Sequence, residues 1–477
     1  MLREYQDKAV NEIRELYKNG AKKILLHLAT GGGKTVVFCH ILKQMHQKNN
    51  PAIMVVRGRK LVDQASQRLI RENIDHGVFM AGHWNMRPSR LIQVCSIDTL
   101  RARKHRPPAK LIVIDEAHLM LSEKDKEFVE SYPDAKILAV TATPYSKKSM
   151  RHLADEIVCP ITIRELIDQG HLVPCITYAP PVGVDLSQVP VSKMTGDYQE
   201  AELSAVMSDK VLVGDVVKHW KEFGQDRPSI CFATGVKHSK LLCEEFLANG
   251  VPAAHVDASS SDKERNEILK RLERGEIKVI TNCGILSIGV DMPYVGCIIG
   301  ARPTKSLNLY IQQTGRGTRP CPEIGKKDFI LLDHAGNVLE FGLITDEHPV
   351  NLDGKQKKTD PELKTCQVCF AVFVGFGGCP HGCVGEVKEK KKAAIITSDV
   401  DAKLKLYVDN PEEMRILKEI FRLQAVQKKK GYKRGWIYYK LAEIFPMELV
   451  EKHFPKREVP AWVRNQINTA DVDSEQY

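Results

Sequence analysis

Residues 28–35 read LATGGGKT, a glycine-rich loop between two apolar runs. Upstream lies KKILLH, short and apolar like a buried strand; downstream lies VVFCHILKQM, which suits a helix. A strand, a loop and a helix in that order point the backbone N–H groups of Thr30, Gly31, Gly32 and Gly33 into one concavity, with the helix N-terminus behind them. A phosphate satisfies those donors. Lys34 can then reach the outer phosphates, and the Thr35 hydroxyl can sit on a magnesium ion. Leu28 stands where the longer G-x-x-x-x-G-K-[ST] pattern has its first glycine, so a plain turn before a surface lysine is the competing reading.

Working outward, residues 1–160 alternate strand-like and helix-like runs. KILLHLA, AIMVVRG, IQVCSI, KLIVIDE and KILAVTAT are the expected strands, each short, apolar and closed by a polar or glycine-rich loop. That rhythm predicts a parallel sheet covered by helices on both faces. Residues 161–210 lack it and read as a connector, punctuated by APPVGVDLSQVP. The rhythm returns over 211–350 with RPSICFATG, AAHVDAS, IKVITNCG, VGCIIGARP and KDFILLDHAG, giving a second α/β domain. Residues 351–361 read as a charged linker, 362–386 as a cysteine-rich module and 400–470 as a basic helical region.

The strand KLIVIDEAH ends in Asp115 and Glu116, expected beside the glycine loop in a parallel sheet. Asp115 would hold magnesium, and Glu116 would polarise an attacking water; a helix cap is the bland alternative. Thr141 and Thr143, at the end of the next strand, can hydrogen-bond the acidic pair. YIQQTGRGTRP carries Gln312, Arg316 and Arg319 at spacings of three and four, one side of a helix if 306–316 begin one. Arginines facing a phosphate loop from another domain supply positive charge to a transferring phosphoryl group; a solvated basic patch is the alternative.

With 477 residues and a formal charge of +10, the chain is long enough for several domains and basic enough to meet a polyanion. No run of about 18 apolar residues suggests a membrane span, and MLREYQDKAV has no signal-peptide character. Most of the thirteen cysteines sit in apolar runs, as buried thiols of a reducing compartment do. The exceptions, Cys366, Cys369, Cys379 and Cys383, are spaced C-x₂-C-x₉-C-x₃-C in a glycine-rich stretch with few large apolar residues. That spacing predicts one structural zinc, with His381 as a substitute ligand. In the tail, Lys428, Lys429, Lys430, Lys433 and Arg434 flank Tyr432 and Trp436, with Lys456, Arg457, Trp462 and Arg464 beyond. This suits a phosphate-backbone surface with base stacking, or an amphipathic helix whose aromatic residues are core anchors.

In order, these motifs resemble those of the superfamily 2 helicases and translocases over residues 1 to about 345. ATGGGKT is similar to their motif I, DEAH to motif II, TAT to motif III, TNCGILSIGVDMP to motif V and QQTGRGTR to motif VI. The resemblance implies two tandem RecA-like domains that sandwich ATP and Mg²⁺, with Arg316 and Arg319 as arginine fingers. It also implies nucleotide-contacting roles for Gly289 and Asp291, with Ser287 matching too, and an adenine-recognising segment in LREYQDKAV, through Arg3, Tyr5 and Gln6. Arg57, Ser96, Thr99, Thr234 and Thr281 would lie at or near nucleic-acid phosphates. LREYQ, GVDMP, YIQQTGRGTR and LLDHAGN further resemble the RadD group of bacterial DNA-repair ATPases and their phage relatives, which also carry a cysteine cluster after the second domain. The expectation is a DNA-stimulated ATP hydrolase of the bacterial or phage-infected cytoplasm. It would act on single-stranded, forked or branched DNA in preference to RNA, alongside repair or replication proteins. A nucleotide-gated DNA clamp, a restriction-type translocase subunit and an RNA helicase are the alternatives. No inserted pin or wedge stands out.

Overall fold

The computed structural model describes residues 2–354 except 104, 147, 180–183, 185, 193–194 and 287–291, together with 363–365, 372–374, 405–408 and 440–441. In chain order the first half runs α1 (Glu4–Lys18), β1 (Lys23–His27), α2 (Lys34–Gln47), β2 (Ala52–Val56), α3 (Arg59–Arg71), β3 (Gly77–Phe79), β4 (Ile92–Ser96), α4 (Ile97–Ala102), β5 (Leu111–Asp115), α5 (Glu123–Glu130), β6 (Lys136–Thr141), β7 (Glu156–Val158) and α6 (Ile163–Asp168). The second runs β8 (Cys175–Ala179), α7 (Glu200–Met207), α8 (Lys210–Phe223), β9 (Ser229–Phe232), α9 (Val236–Ala248), β10 (Ala253–Val256), α10 (Asp262–Glu273), β11 (Val279–Asn282), β12 (Cys297–Gly300), α11 (Leu307–Thr314), β13 (Phe329–Asp333) and α12 (Asn337–Phe341). Beyond these come β14 (Leu363–Thr365), β15 (Val372–Val374) and β16 (Lys405–Val408).

Two RecA-like α/β domains result. The first sheet has the order β3-β4-β2-β5-β6-β1-β7, parallel throughout. The second has the order β10-β11-β9-β12-β13-β8-β16, parallel except for the antiparallel edge pair of β8 and β16. The strands read as continuous apolar runs because both faces of each sheet are covered. In β5, Leu111 and Val113 pack into one core with Leu26 and Phe38, while Ile112 and Ile114 pack into the other with Leu25 and Phe128. In β9, Ile230 and Phe232 face one core and Cys231 the other. Each such side chain, taken fully out of water, contributes about 1.5–3 kcal/mol.

Every strand read from the sequence is present. The stretch 161–210, expected as connector alone, also supplies β8, which completes the second sheet beside β13. The region expected to be helical beyond residue 400 supplies β16, paired antiparallel with β8 from Lys405↔Ala179 to Val408↔Ile176. Cys366, Cys369, Cys379, Cys383, His381 and the basic residues 428–434 lie outside the described residues, as do Ser287, Gly289 and Asp291. Among the described residues no helix is long and apolar enough to cross a membrane.

Candidate functional site

The glycine loop leaves β1 and enters α2 at Lys34, with Gly31 at φ +84° and Gly33 at φ +82°. Both are left-handed, a conformation glycine adopts at no steric cost. A side chain would also displace its neighbours: a Cβ on Gly33 would lie 2.3 Å from Gln6 Nε2, and one on Gly31 2.8 Å from Leu172 Cδ2. The loop is braced from α1, where the Tyr5 hydroxyl donates to Gly32 O at 2.9 Å and Gln6 Nε2 approaches the same oxygen at 3.4 Å. Gln6 Oε1 accepts from the Arg3 N–H at 3.0 Å, satisfying one donor at the start of α1. Tyr5 and Gln6 therefore hold the loop, while Arg3 lines the cleft in front of it with His171.

That cleft has a volume of about 720 Å³ and is built from both domains. The first contributes Thr30, Gly31, Gly33, Lys34, Thr35, Asp115 and Glu116; the second contributes Gln312, Arg316 and Arg319. The expected place of the Asp115 strand is beside the loop strand, but β6 lies between them. The acidic pair faces the loop across the end of β6. Spacings of three and four would set Gln312, Arg316 and Arg319 on one side of a helix, were 306–316 to begin one. Instead α11 ends at Thr314, and both arginines sit in the turns after it. Gly315 permits that turn to meet the loop, since a Cβ there would lie 3.1 Å from Thr30 Cβ. The Arg319 Cγ lies 3.6 Å from the corresponding position on Gly31. Arg68 and Arg71 of α3 also line the cleft, and no motif in the sequence pointed to them.

The acidic end of β5 carries strain and an unmet acceptor. Glu116 has φ 49°, uncommon for a residue with a side chain, and its N–H donates to Asp115 Oδ1 at 2.9 Å. Glu116 Oε2 is buried and accepts no hydrogen bond, its nearest basic neighbour being His118 Nδ1 at 3.5 Å. Burial, then the neighbouring Glu116 carboxylate, push Asp115 up to about 6, against the favourable charge of Lys34. A site that crowds two carboxylates against a lysine and leaves one oxygen unpaired suits a divalent cation and a polarised water.

His118 joins this end of the first sheet to the second domain. Gln312 Nε2 donates to His118 Nε2 at 3.1 Å and to Thr143 Oγ1 at 3.1 Å. Accepting at Nε2 leaves the imidazole proton on Nδ1, which donates to Thr141 Oγ1 at 2.9 Å. Burial keeps this ring neutral, its pKa lowered to about 4. Thr141 Oγ1 also accepts from the Thr143 N–H at 3.0 Å.

The residues expected near nucleic-acid phosphates divide. Arg57 is half-exposed and lies 3.7 Å from the buried Asp125 carboxylate, which also binds Arg101. Thr234 and Thr281 are buried, and their hydroxyls pair with His238 Nδ1 and Ser239 O. Ser96 is buried at the end of β4, and Thr99 is half-buried on α4.

Residues 1–146 match the family profile described as the type III restriction enzyme res subunit, and residues 213–321 that of the helicase conserved C-terminal domain. Both profiles are of motor domains, and they fall on the two halves that resemble superfamily 2 helicases. The chain is 30% identical over 346 residues to the putative ATP-dependent helicase IRC3 of Saccharomyces cerevisiae, covering 67% of this chain and 49% of that protein. It thus spans about half the length of that relative. A 51.5 kDa protein of a Lactococcus phage is 28% identical, over 72% of this chain and 74% of its own length. In fold, the chain is similar to a fragment of a putative HsdR subunit of a type I restriction enzyme from Vibrio vulnificus. That likeness has a TM-score of 0.56 at 20% identity, over 74% of this chain and 67% of the other.

The Asp115 carboxyl gives a stability test. Its pKa in the folded chain, about 6, exceeds its ordinary 3.8, so the folded state holds this proton more tightly than the unfolded one. The stability this contributes is full below the ordinary value and lost as pH rises through about 6. Without nucleotide, Asp115→Asn is expected to melt above the parent at pH 7.5, with the gain shrinking toward pH 4. Added Mg²⁺ and nucleotide should raise the parent's melting temperature and leave the variant's nearly unchanged.

Proposed function

We propose that this chain is an ATP-dependent translocase or helicase that couples ATP hydrolysis to movement on, or remodelling of, DNA. The observation that carries the reading is the single cleft that brings Lys34, Asp115 and Glu116 of one domain against Gln312, Arg316 and Arg319 of the other. A site held by one domain alone would bind nucleotide without coupling it to anything. A site split between two domains ties nucleotide state to their relative position.

The residues present fit ATP and Mg²⁺. The left-handed Gly31 and Gly33 keep the loop open to phosphate; Lys34 would neutralise the outer phosphates, and Thr35 and Asp115 would supply oxygen ligands for magnesium. Bound MgATP supplies a phosphoryl group transferable to water. Glu116 Oε2, lacking a hydrogen-bond donor of its own, orients that water and takes its proton. Arg316 and Arg319 offset charge on the transferring oxygens from across the cleft. Gln312 holds His118 in the neutral tautomer beside Glu116, so the second domain's position acts directly on the hydrolytic end of β5. DNA is favoured as the track by the restriction-type profile over residues 1–146. The narrower RadD likeness rests on the four sequence pieces quoted above, and Gly289 and Asp291 are assigned nucleotide-side roles on sequence alone.

The cysteine spacing supports a structural zinc held by Cys366, Cys369, Cys379 and Cys383. β14 pairs antiparallel with β15 from Leu363↔Val374 to Thr365↔Val372, and Cys366 and Cys369 lie between these two strands in sequence. Metal analysis of chain purified without chelator should find one zinc per chain, lost on Cys366→Ser with Cys369→Ser.

Lys34→Ala should abolish nucleotide binding or turnover. Glu116→Gln should bind ATP like the parent while its turnover falls by about two to four powers of ten. Arg319→Ala should keep most ATP affinity and lose most DNA-stimulated turnover. Phosphate-release assays with and without DNA check all three, and parental rates in Lys34→Ala and Glu116→Gln would overturn the site.

A further inference from the structure

Trp84 is 74% exposed, a large apolar side chain left in solvent on the loop between β3 and β4. The loop beneath it is rigidly built. His83, buried, stacks under the indole at 5.5 Å between centroids and 29° between planes, which leaves the outer indole face open. The Asn85 N–H donates to His83 Nδ1 at 3.0 Å, so His83 carries its proton on Nε2 and donates it to Asp63 Oδ1 at 2.9 Å. Asn85 is buried, and its Oδ1 accepts from Arg87 Nε at 2.7 Å. Gln93 Nε2 donates to Arg87 O and Arg90 O, each at 2.8 Å. Buried polar groups on both flanks thus fix the backbone that presents an exposed ring. An indole held this way forfeits little freedom when something stacks on it.

Position and charge say what that is. In the sheet order β3-β4-β2, all parallel, the loop after β3 lies at the same carboxyl-terminal edge as Ser96 after β4 and Arg57 after β2. It touches α3 directly: Arg59 Nη2 donates to Gly82 O at 3.2 Å. Guanidinium groups reach this loop and the end of β3: Arg59 at Gly82 O, Arg87 at Asn85 Oδ1, and Arg103 over the Phe79 ring at 5.1 Å, while Asp63 holds His83 and Asp75 pairs with Arg87 and Arg90. An exposed aromatic face on a loop that arginines also reach is the chemistry that receives an unpaired base and its flanking phosphates. We infer that Trp84 is a base-stacking contact, at the outer edge of the first domain, for a single-stranded segment of nucleic acid. The inference rests on the functional reading above and adds to it the strand state of the substrate. A base still paired in a duplex offers no free face, so the contact selects single strands and junctions.

The test is equilibrium binding of the full chain to single-stranded, forked and blunt duplex DNA across a salt series, with 2-aminopurine in the single strand. Trp84→Ala is expected to weaken single-strand and fork binding by about tenfold, leave blunt-duplex binding within about twofold, and keep the salt slope, because stacking releases no counterions. Trp84→Phe should recover most of the loss, and quenching of 2-aminopurine should vanish in Trp84→Ala. Trp84→Ala should melt like the parent, its side chain being solvent-facing. Parental single-strand affinity in Trp84→Ala overturns the inference and leaves the functional reading standing. Equal loss on duplex and single strand, or a changed salt slope, overturns base stacking in favour of a general backbone contact. A parent chain that binds no nucleic acid overturns the functional reading and this inference together.

Discussion

One side-chain amide ties the two domains to the same chemistry. Gln312 Nε2 has two N–H donors and spends them on His118 Nε2 and Thr143 Oγ1, both in the other domain. That choice requires a neutral imidazole, and burial keeps it neutral. The ring in turn donates to Thr141 at the end of β6, the strand between the phosphate loop and the acidic pair. Gln312, His118, Thr141 and Thr143 thereby form one hydrogen-bonded chain from the second domain to the end of β6. Parting the domains would take Gln312 away from His118 and Arg319 away from Gly31 in one movement.

The parallel sheets explain why binding groups collect where they do. Every strand of the first sheet runs the same way, so every loop leaving a carboxyl-terminal end emerges on one edge. Along that edge, β1, β6 and β5 carry the first domain's side of the cleft, β2 and β4 carry Arg57 and Ser96, and β3 carries the Trp84 loop. The interior tolerates this because alternate residues of each strand drain into separate cores, leaving the edge polar without exposing apolar surface.

Much of this was legible in the sequence. The glycine loop, the acidic pair and the glutamine–arginine segment announce themselves because each needs particular residue types at fixed spacing, and long apolar runs mark the central strands. What escaped depends on pairing rather than local pattern. β8, with the sequence CITYA, alternates weakly and becomes a strand through β13 beside it. β3 and β7 are three residues each, too short for a period. Arg316 and Arg319 keep helical spacing but follow the end of α11, because Gly315 and Gly317 let the chain turn against Thr30 and Phe329. Trp84 is one aromatic among polar neighbours, and only His83 beneath it reveals that it is held outward.

Thermodynamic linkage tests the coupling most directly. If nucleotide and nucleic acid act on one domain arrangement, each must change the other's affinity by the same factor. The decisive measurement is single-stranded DNA affinity with no nucleotide, with ADP and with a non-hydrolysable ATP analogue, set against affinity for that analogue with and without the DNA. The account predicts that the analogue changes DNA affinity by about five-fold or more, a typical allosteric coupling, that DNA changes analogue affinity by the same factor, and that ADP gives a different value. DNA affinity that is identical in all three nucleotide states would contradict it.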